Sequence, residues 1–326
     1  MPRTEDAVAA CWRPTASFAT LGKRADLLAR TRSFFAGAGV MEVDTPLLGA
    51  TGVTDLHIDC IEAQVRGATG YLQSSPEYFM KRLLAAGSGP IYSLGKVFRD
   101  GEKGRRHRPE FTLLEWYRPG WDEYRLMTEV AALFTALFAG QGGAALAVTH
   151  LTYGEAFSAA LDIDPHGAST DELAACAVVR FGEQWRAEPR GTLLDLLFSL
   201  VVEPSLPGGL VFICEYPACQ AALARLGKNA AGQTVARRFE VFLDRMELGN
   251  GYFELSDAQE QRDRFEQDLA RRAAANRKQP PIDEALLAAL TSGLPECAGV
   301  AIGMDRLLMK LLGVDDIAEV VAFSPV

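Results

Sequence analysis

Phe98-Arg99-Asp100-Gly101-Glu102-Lys103-Gly104-Arg105-Arg106-His107-Arg108-Pro109-Glu110-Phe111 separates two apolar runs, Ile91 to Phe98 and Phe111 to Tyr117. Two strand-like runs joined by a charged, glycine-containing loop predict a long antiparallel hairpin over 91–117. The loop holds five basic residues besides His107. A guanidinium at a strand end can grip a phosphate in bidentate fashion, although a charge run by itself also fits a solvated turn.

On the N-terminal side, Leu27, Leu28, Thr31, Phe34, Phe35 and Ala38 recur at the helical period and predict a helix over 22–38. Residues 1–20 read as irregular, with Pro2 and Pro14 as breakers. Val40 to Thr45 alternates like a strand until Pro46, and residues 55–65 alternate again. Ser74-Ser75-Pro76-Glu77 is a helix-start signature for a helix running to Gly87. On the C-terminal side a helix fits 123–139, ended by the glycines of 140–143, and residues 150–207 read as mostly helical. Leu210 to Cys214 reads as a short strand. Arg238 to Met246 alternates, and Gly249-Asn250-Gly251 reads as a turn before a strand at Tyr252 to Leu255. A charged helix covers 257–276, and Gly299 to Met309 passes from strand to helix. Helices and strands are mixed without regular alternation, which predicts an α+β fold on an antiparallel sheet. No dinucleotide-binding or P-loop glycine pattern is present.

The 326 residues are 48% hydrophobic and 23% charged, which excludes disordered and collagen-like chains. The net charge of −9 argues against a protein that works mainly by coating nucleic acid. The six cysteines have no C-x-x-C spacing, and the four histidines form no zinc pattern. With no signal-like N-terminus and no apolar run near the ~20 residues a bilayer requires, a cytoplasmic, reduced protein is expected and no membrane partner.

Two further clusters carry chemistry. Gly299-Val300-Ala301-Ile302-Gly303-Met304-Asp305-Arg306 allows close backbone approach and places an arginine at a helix start. Glu240, Glu247 and Glu254, with Asn250 between them, are hard oxygen donors of the kind that hold Mg²⁺ beside a substrate phosphate. Each feature alone also reads as ordinary surface or packing chemistry.

In this order, the features resemble the class II aminoacyl-tRNA synthetase catalytic core over roughly residues 20 to 326. The helix and strand ending at Val43-Asp44-Thr45-Pro46 are similar to motif 1. Phe98-Arg99 through His107, with Pro109-Glu110-Phe111-Thr112 and Glu115-Trp116-Tyr117, is similar to motif 2, and Gly303-Met304-Asp305-Arg306 to motif 3. Ser75-Pro76-Glu77 and Glu247 to Leu255 resemble the lysyl branch. Only about 20 residues precede motif 1, too few for an anticodon-reading domain, so tRNA is not an expected partner. A free-standing lysyl-type core resembles the elongation factor P–(R)-β-lysine ligase family, which Glu115-Trp116-Tyr117, Glu319 to Ser324 and Ala301 also fit; lysyl synthetases usually carry glycine at the position of Ala301.

The resemblance implies an ATP-dependent, AMP-forming ligase with ATP and Mg²⁺, (R)-β-lysine as substrate, elongation factor P as acceptor, and a homodimer formed through motif 1. It implies Arg99 at the α-phosphate and Arg306 at the γ-phosphate as the catalytic pair. Phe111 would stack on adenine with His107 near the bent triphosphate, and Gly303 would let the nucleotide approach the backbone. Glu240 and Glu247 would hold Mg²⁺. The nucleotide set is completed by Asp100, Gly101, Glu102, Arg108 and Leu248. For the amino acid it implies Glu77 and Glu254 on the two ammonium groups, with Tyr117, Asn250, Ser75, Pro76 and Ala301 around them. Two positions depart from the family pattern: Gly101 stands where motif 2 usually has glutamate, with Glu102 as the candidate replacement, and Arg108 stands where it usually has asparagine.

Overall fold

The computed structural model describes residues 12–139 and 146–324. The first eleven residues of the expected irregular segment, Pro2 among them, and the glycine stop at 140–143 lie outside the described residues.

Helix α1 (Phe18–Gly37) starts four residues before the expected Gly22, because the Ser17 hydroxyl accepts from Thr20 N–H and caps it. The following strand β1 is only Met41–Glu42, and β2 (Leu48–Gly49), β3 (Glu62–Val65) and β4 (Ala68–Leu72) form a separate small sheet in the order β2-β4-β3. Of the alternation read at 55–65, only the last four residues become strand. The expected hairpin is present as β5 (Ile91–Phe98) and β6 (Glu110–Pro119), in register from Ile91 opposite Tyr117 to Phe98 opposite Glu110. Short helix α2 (Glu77–Ala85) precedes it, and α3 (Glu123–Phe138) follows it as expected.

Residues 150–207 open with β7 (Val148–Thr152) and then form α4 (Tyr153–Leu161), α5 (Thr170–Phe181) and α6 (Arg190–Leu197), which runs into a π turn. Thr152 with Glu155 and Ser169 with Glu172 form capping boxes on α4 and α5. Strands β8 (Leu210–Pro217), β9 (Leu226–Lys228), β10 (Thr234–Leu243), β11 (Met246–Phe253) and β12 (Cys297–Gly303) complete the large sheet. Its order is β1-β5-β6-β12-β11-β10-β8-β7, with β9 on β10. The centre is antiparallel as expected, and the pairs β1–β5 and β7–β8 at its two ends are parallel. Helix α7 (Ala258–Ala274) matches the charged helix. Helix α8 (Glu284–Gly293) was not among the expected elements, and α9 (Met304–Leu312) follows β12 directly.

The Gly249-Asn250-Gly251 segment is corrected from a turn to the middle of β11. The turn lies earlier, at Asp244 and Arg245, both at positive φ. The glycines are required by closeness to neighbouring strands. A Cβ on Gly249 would stand 1.9 Å from the Ala301 carbonyl oxygen, and one on Gly251 would stand 2.4 Å from the Phe239 ring.

The sheet divides its residues by parity. Leu114, Trp116, Phe239, Val241, Ala298, Val300 and Ile302 point to one face and form the main core with α1, α3 and α9. Leu27 and Phe35 of α1 belong to that core, and Phe35 stacks on Tyr92 at a centroid distance of 4.5 Å. Leu28 and Phe34 pack at its margin. On the opposite face, α4 to α6 build a second core over β8 and β10. A third core, built by α2, α7 and α8 against Ile91, Tyr117 and Cys297, covers one end of that face, and the part between the two is left open.

Buried Asp305 joins three elements: its carboxylate accepts from Arg24 Nη1 at 2.5 Å and from the Thr112 N–H at 2.7 Å. Removing one partner of such a buried pair leaves the other unpaired. Asp305→Ala is expected to lower the unfolding free energy by about 3–5 kcal/mol, measured by urea denaturation.

Candidate active site

The open face of the large sheet carries a cleft of about 340 Å³, within the range of small-ligand sites. On β6, Phe111, Leu113, Glu115 and Tyr117 point into it, while the alternate Leu114 and Trp116 enter the core. On β12, Gly299, Ala301 and Gly303 line it by the same parity. On β11, Glu247 and Asn250 both line it although their numbers differ in parity. A β-bulge explains this: Val241 pairs with Gly249 and Phe242 with Glu247, so Leu248 has no opposite residue.

One end of the cleft is cationic. The Arg99 guanidinium lies over the Phe111 ring, 5.0 Å from its centroid, and its Nε is buried without a partner. Arg306 Nη1 donates to the Glu247 carbonyl at 3.0 Å, Nη2 meets His107 Nε2, and Nε donates to the Arg106 carbonyl at 3.3 Å. Burial and the neighbouring Arg306 hold the His107 imidazole below its ordinary range, so it is neutral at pH 7. Glu102 lines the cleft, its carboxylate 3.6 Å from His107 Nε2.

Asp100 and Gly101, expected in the nucleotide set, are not among the residues that line the cleft. Asp100 N–H donates to the Asp59 carbonyl at 2.7 Å, its carboxylate accepts from Gly101 N–H, and Gly101 turns the chain at φ +74°. Arg108 reaches the cleft edge, but its side chain is committed to Ser324 Oγ at 2.6 Å and to the carbonyls of Gly104 and His107.

Glu247 is pushed up to about 7 by burial and by neighbouring Glu240. Register places Glu240 opposite Asn250, on the same sheet face, but Arg238 Nη2 holds it at 2.5 Å and it does not reach the cleft wall. Among the described residues no group of three or more His, Cys, Asp or Glu could hold a metal by itself. A crowded carboxylate pair that lacks a third ligand fits a cation completed by substrate phosphates.

The other end is anionic and buried. The Ser75 hydroxyl accepts from Glu77 N–H at 3.0 Å, starting α2, and donates to Glu115 Oε2 at 2.7 Å. The Tyr117 hydroxyl donates to Glu115 Oε1 at 2.8 Å. Glu77 and Glu254 both contact the buried Lys81 ammonium. Burial, with Glu77 adding to it, raises Glu115 to about 8, and burial raises Glu254 to about 7 against the pull of Lys81. Pro76, expected beside the amino acid, starts α2 and lines an adjoining cleft with Val43 to Leu47, Leu113 lining both. Gly299 leaves room for both partners, since a Cβ there would stand 2.3 Å from the Tyr117 ring and 2.6 Å from Glu254 Oε1.

Glu115 and Lys81 were missing from the sequence-derived site. Both were readable in principle: Glu115 shares strand parity with Phe111 and Tyr117, and Lys81 is four residues after Glu77 on a helix.

The family model for class II tRNA synthetases (D, K and N) matches residues 3–326. The chain belongs to the class II aminoacyl-tRNA synthetase family. Curated relatives named elongation factor P–(R)-β-lysine ligase span nearly all of it. The protein of Photorhabdus laumondii is 47% identical over 322 residues, covering 96% of this chain and 97% of its own. That of Proteus mirabilis is 47% identical over 323 residues, with the same coverage. That of Salmonella paratyphi B is 46% identical over 324 residues, covering 97% and 98%.

In the folded chain Glu115 is pushed up to about 8, whereas a free glutamate titrates near 4.5. Its contribution to stability is therefore complete below pH 4.5 and is lost as pH rises through 8. Glu115→Gln, which stays neutral, is expected to melt several degrees above the parent at pH 8.5 and to lose that advantage near pH 5. Melting curves across this range check the assignment.

Proposed function

We propose that this chain is an ATP-dependent ligase that activates (R)-β-lysine as an acyl-adenylate and transfers it to a lysine side chain of elongation factor P. One observation carries the reading. A cationic, phosphate-sized end and a doubly acidic, buried end share a single cleft, and relatives at 46–47% identity bear that ligase name.

The substrate carboxylate attacks the α-phosphorus of ATP and pyrophosphate leaves; the ε-amine of the acceptor lysine then attacks the acyl carbon and AMP leaves. Arg99 stabilises charge on the α-phosphate, with its partner-free Nε available to donate. Arg306 and neutral His107 face the outer phosphates, Phe111 offers a ring to the adenine, and Gly303 and Leu248 shape the floor. Glu240 and Glu247 would hold Mg²⁺, which when bound neutralises part of the triphosphate charge. Glu77 and Glu254 receive the two ammonium groups, with Tyr117, Glu115 and Asn250 around them. Ala301 stands opposite both Asn250 and Glu115, so its methyl narrows the pocket where the amine position is read.

Among the described residues no helix is long and apolar enough to cross a membrane, which agrees with a cytoplasmic enzyme. The segment after α1 leaves Met41, Leu47 and Leu48 exposed at 51%, 46% and 40%, an apolar edge that supports a homodimer. Sedimentation equilibrium is expected to give twice the chain mass; a monomer at micromolar concentration would remove the dimer.

Amino-acid-dependent ATP–pyrophosphate exchange tests the function. Exchange should be strongest with (R)-β-lysine, and elongation factor P should accept the label. Exchange with α-lysine alone would point to another acceptor, and none with any amino acid to a non-catalytic paralogue. Arg99→Ala and Arg306→Ala should each lower exchange about 10²–10³-fold with the fold retained. Glu254→Gln should raise KM for the diamino acid far more than KM for ATP.

A further inference from the structure

The acidic end contains a cation that the reaction above does not use. Lys81, on the second turn of α2, is 1% exposed and does not line the cleft. Its Nζ lies 2.6 Å from Glu77 Oε1 and 2.7 Å from Glu254 Oε2. The contact takes one oxygen from each carboxylate. Both Glu254 oxygens are buried without a hydrogen bond, Oε2 having only its ion pair to Lys81 and Oε1 no partner at all, a costly arrangement unless a donor arrives.

The charges around Lys81 can be counted. Around it and its two carboxylates stand Glu77 from its own helix, Glu115 and Tyr117 from β6, Tyr252 from β11, Glu254 just past β11 and Cys297 from β12, with Asp55 acting on Tyr252 from the cleft wall. Burial keeps Tyr117 and Cys297 neutral, and Glu115 keeps its proton near pH 7. Glu254, raised to about 7 by burial, ionises fully only above neutral pH, and there Glu77, Glu254 and cationic Lys81 together carry one net negative charge. A diamino acid, with two ammonium groups and one carboxylate, brings one net positive charge. Without Lys81 the two glutamates would repel each other in a buried site, and one of them would take up a proton. That proton would block an ammonium acceptor.

We propose that Lys81 is a positioning residue for diamino-acid recognition: an internal ammonium that fixes one oxygen of each of Glu77 and Glu254 and turns their other oxygens toward the two substrate amines. This rests on the diamino-acid reading of the pocket. The charge match explains how a buried acidic site can accept two ammonium groups without discharging itself first.

The test compares Lys81→Gln and Lys81→Arg with the parent by pyrophosphate exchange with (R)-β-lysine from pH 6 to 9. For Lys81→Gln, KM for β-lysine is expected to rise about 10- to 100-fold at pH 7, the effect of one lost charge-assisted contact, while KM for ATP stays unchanged. Losing the cation raises the glutamate pKa values, so the acid limb of kcat/KM for β-lysine should move up by about one pH unit or more and the deficit should narrow toward pH 9. Lys81→Arg keeps the charge in a bulkier group and should keep the parental acid limb while raising KM. An unmoved acid limb in Lys81→Gln, or a matching rise in both KM values, overturns the proposal. If Lys81→Gln does not fold, the position of the acid limb in Lys81→Arg decides instead, and a shifted limb overturns it. A parent that exchanges with no diamino acid overturns the reading of the pocket itself, which is a separate outcome.

Discussion

The site depends on one buried carboxylate. Asp305 receives the Arg24 guanidinium on one oxygen and the Thr112 N–H on the other, and Arg24 Nη2 also donates to the Thr112 hydroxyl at 2.6 Å. Thr112 is next to Phe111 and Asp305 is next to Arg306. Locking these two backbones to each other and to α1 therefore fixes the distance between the Phe111 ring and the Arg306 guanidinium. Low dielectric strengthens such a network when every member is satisfied. A shift of one partner would be felt directly at the cationic end of the cleft.

The second constraint is the parity of the sheet. Alternate residues of β6 and β12 feed the core and the cleft in turn, so packing and chemistry are written on the same strands without competing for positions. The bulge in β11 breaks that alternation within the cleft wall, and it brings Glu247 to the same side as Asn250. Three glycines, Gly249, Gly251 and Gly299, let neighbouring strands and side chains come closer than any Cβ would permit. The chemical polarity of the cleft follows from this layout, with arginines where the hairpin loop meets β11 and carboxylates where α2 meets the far ends of β6 and β11.

Much of this was legible in the sequence. The hairpin, the helix after it and the strand-to-helix passage at Gly303 had strong periodicity and clear punctuation, and most of the site residues they carry converge on one cleft. Gly249-Asn250-Gly251 was misread because glycine marks both turns and close approach, and only the identity of the opposing strand separates the two. Pro76, Asp100 and Gly101 come with the family motifs that contain them; none of the three lines the main cleft, and Gly101 turns the chain at positive φ. Glu115 and Lys81 were missed because their roles depend on pairing with residues about forty and four positions away, Ser75 and Glu77. Helix α8, with its apolar leucines and weak flanking signals, needed the third core cluster beneath it to become visible.

The nucleotide end is closed by contacts between distant parts of the chain. The Ile317 N–H donates to the Arg105 carbonyl at 2.8 Å, Arg108 bonds Ser324, Arg24 reaches the Val320 carbonyl, and the Thr15 N–H donates to the Ala322 carbonyl. During synthesis the hairpin loop and α1 emerge long before these later segments do. An emerging chain can form its hairpin early, but the nucleotide cradle must wait for residues beyond 300 to leave the ribosome. A partly made chain thus lacks the cationic end of the cleft until its last segments are produced.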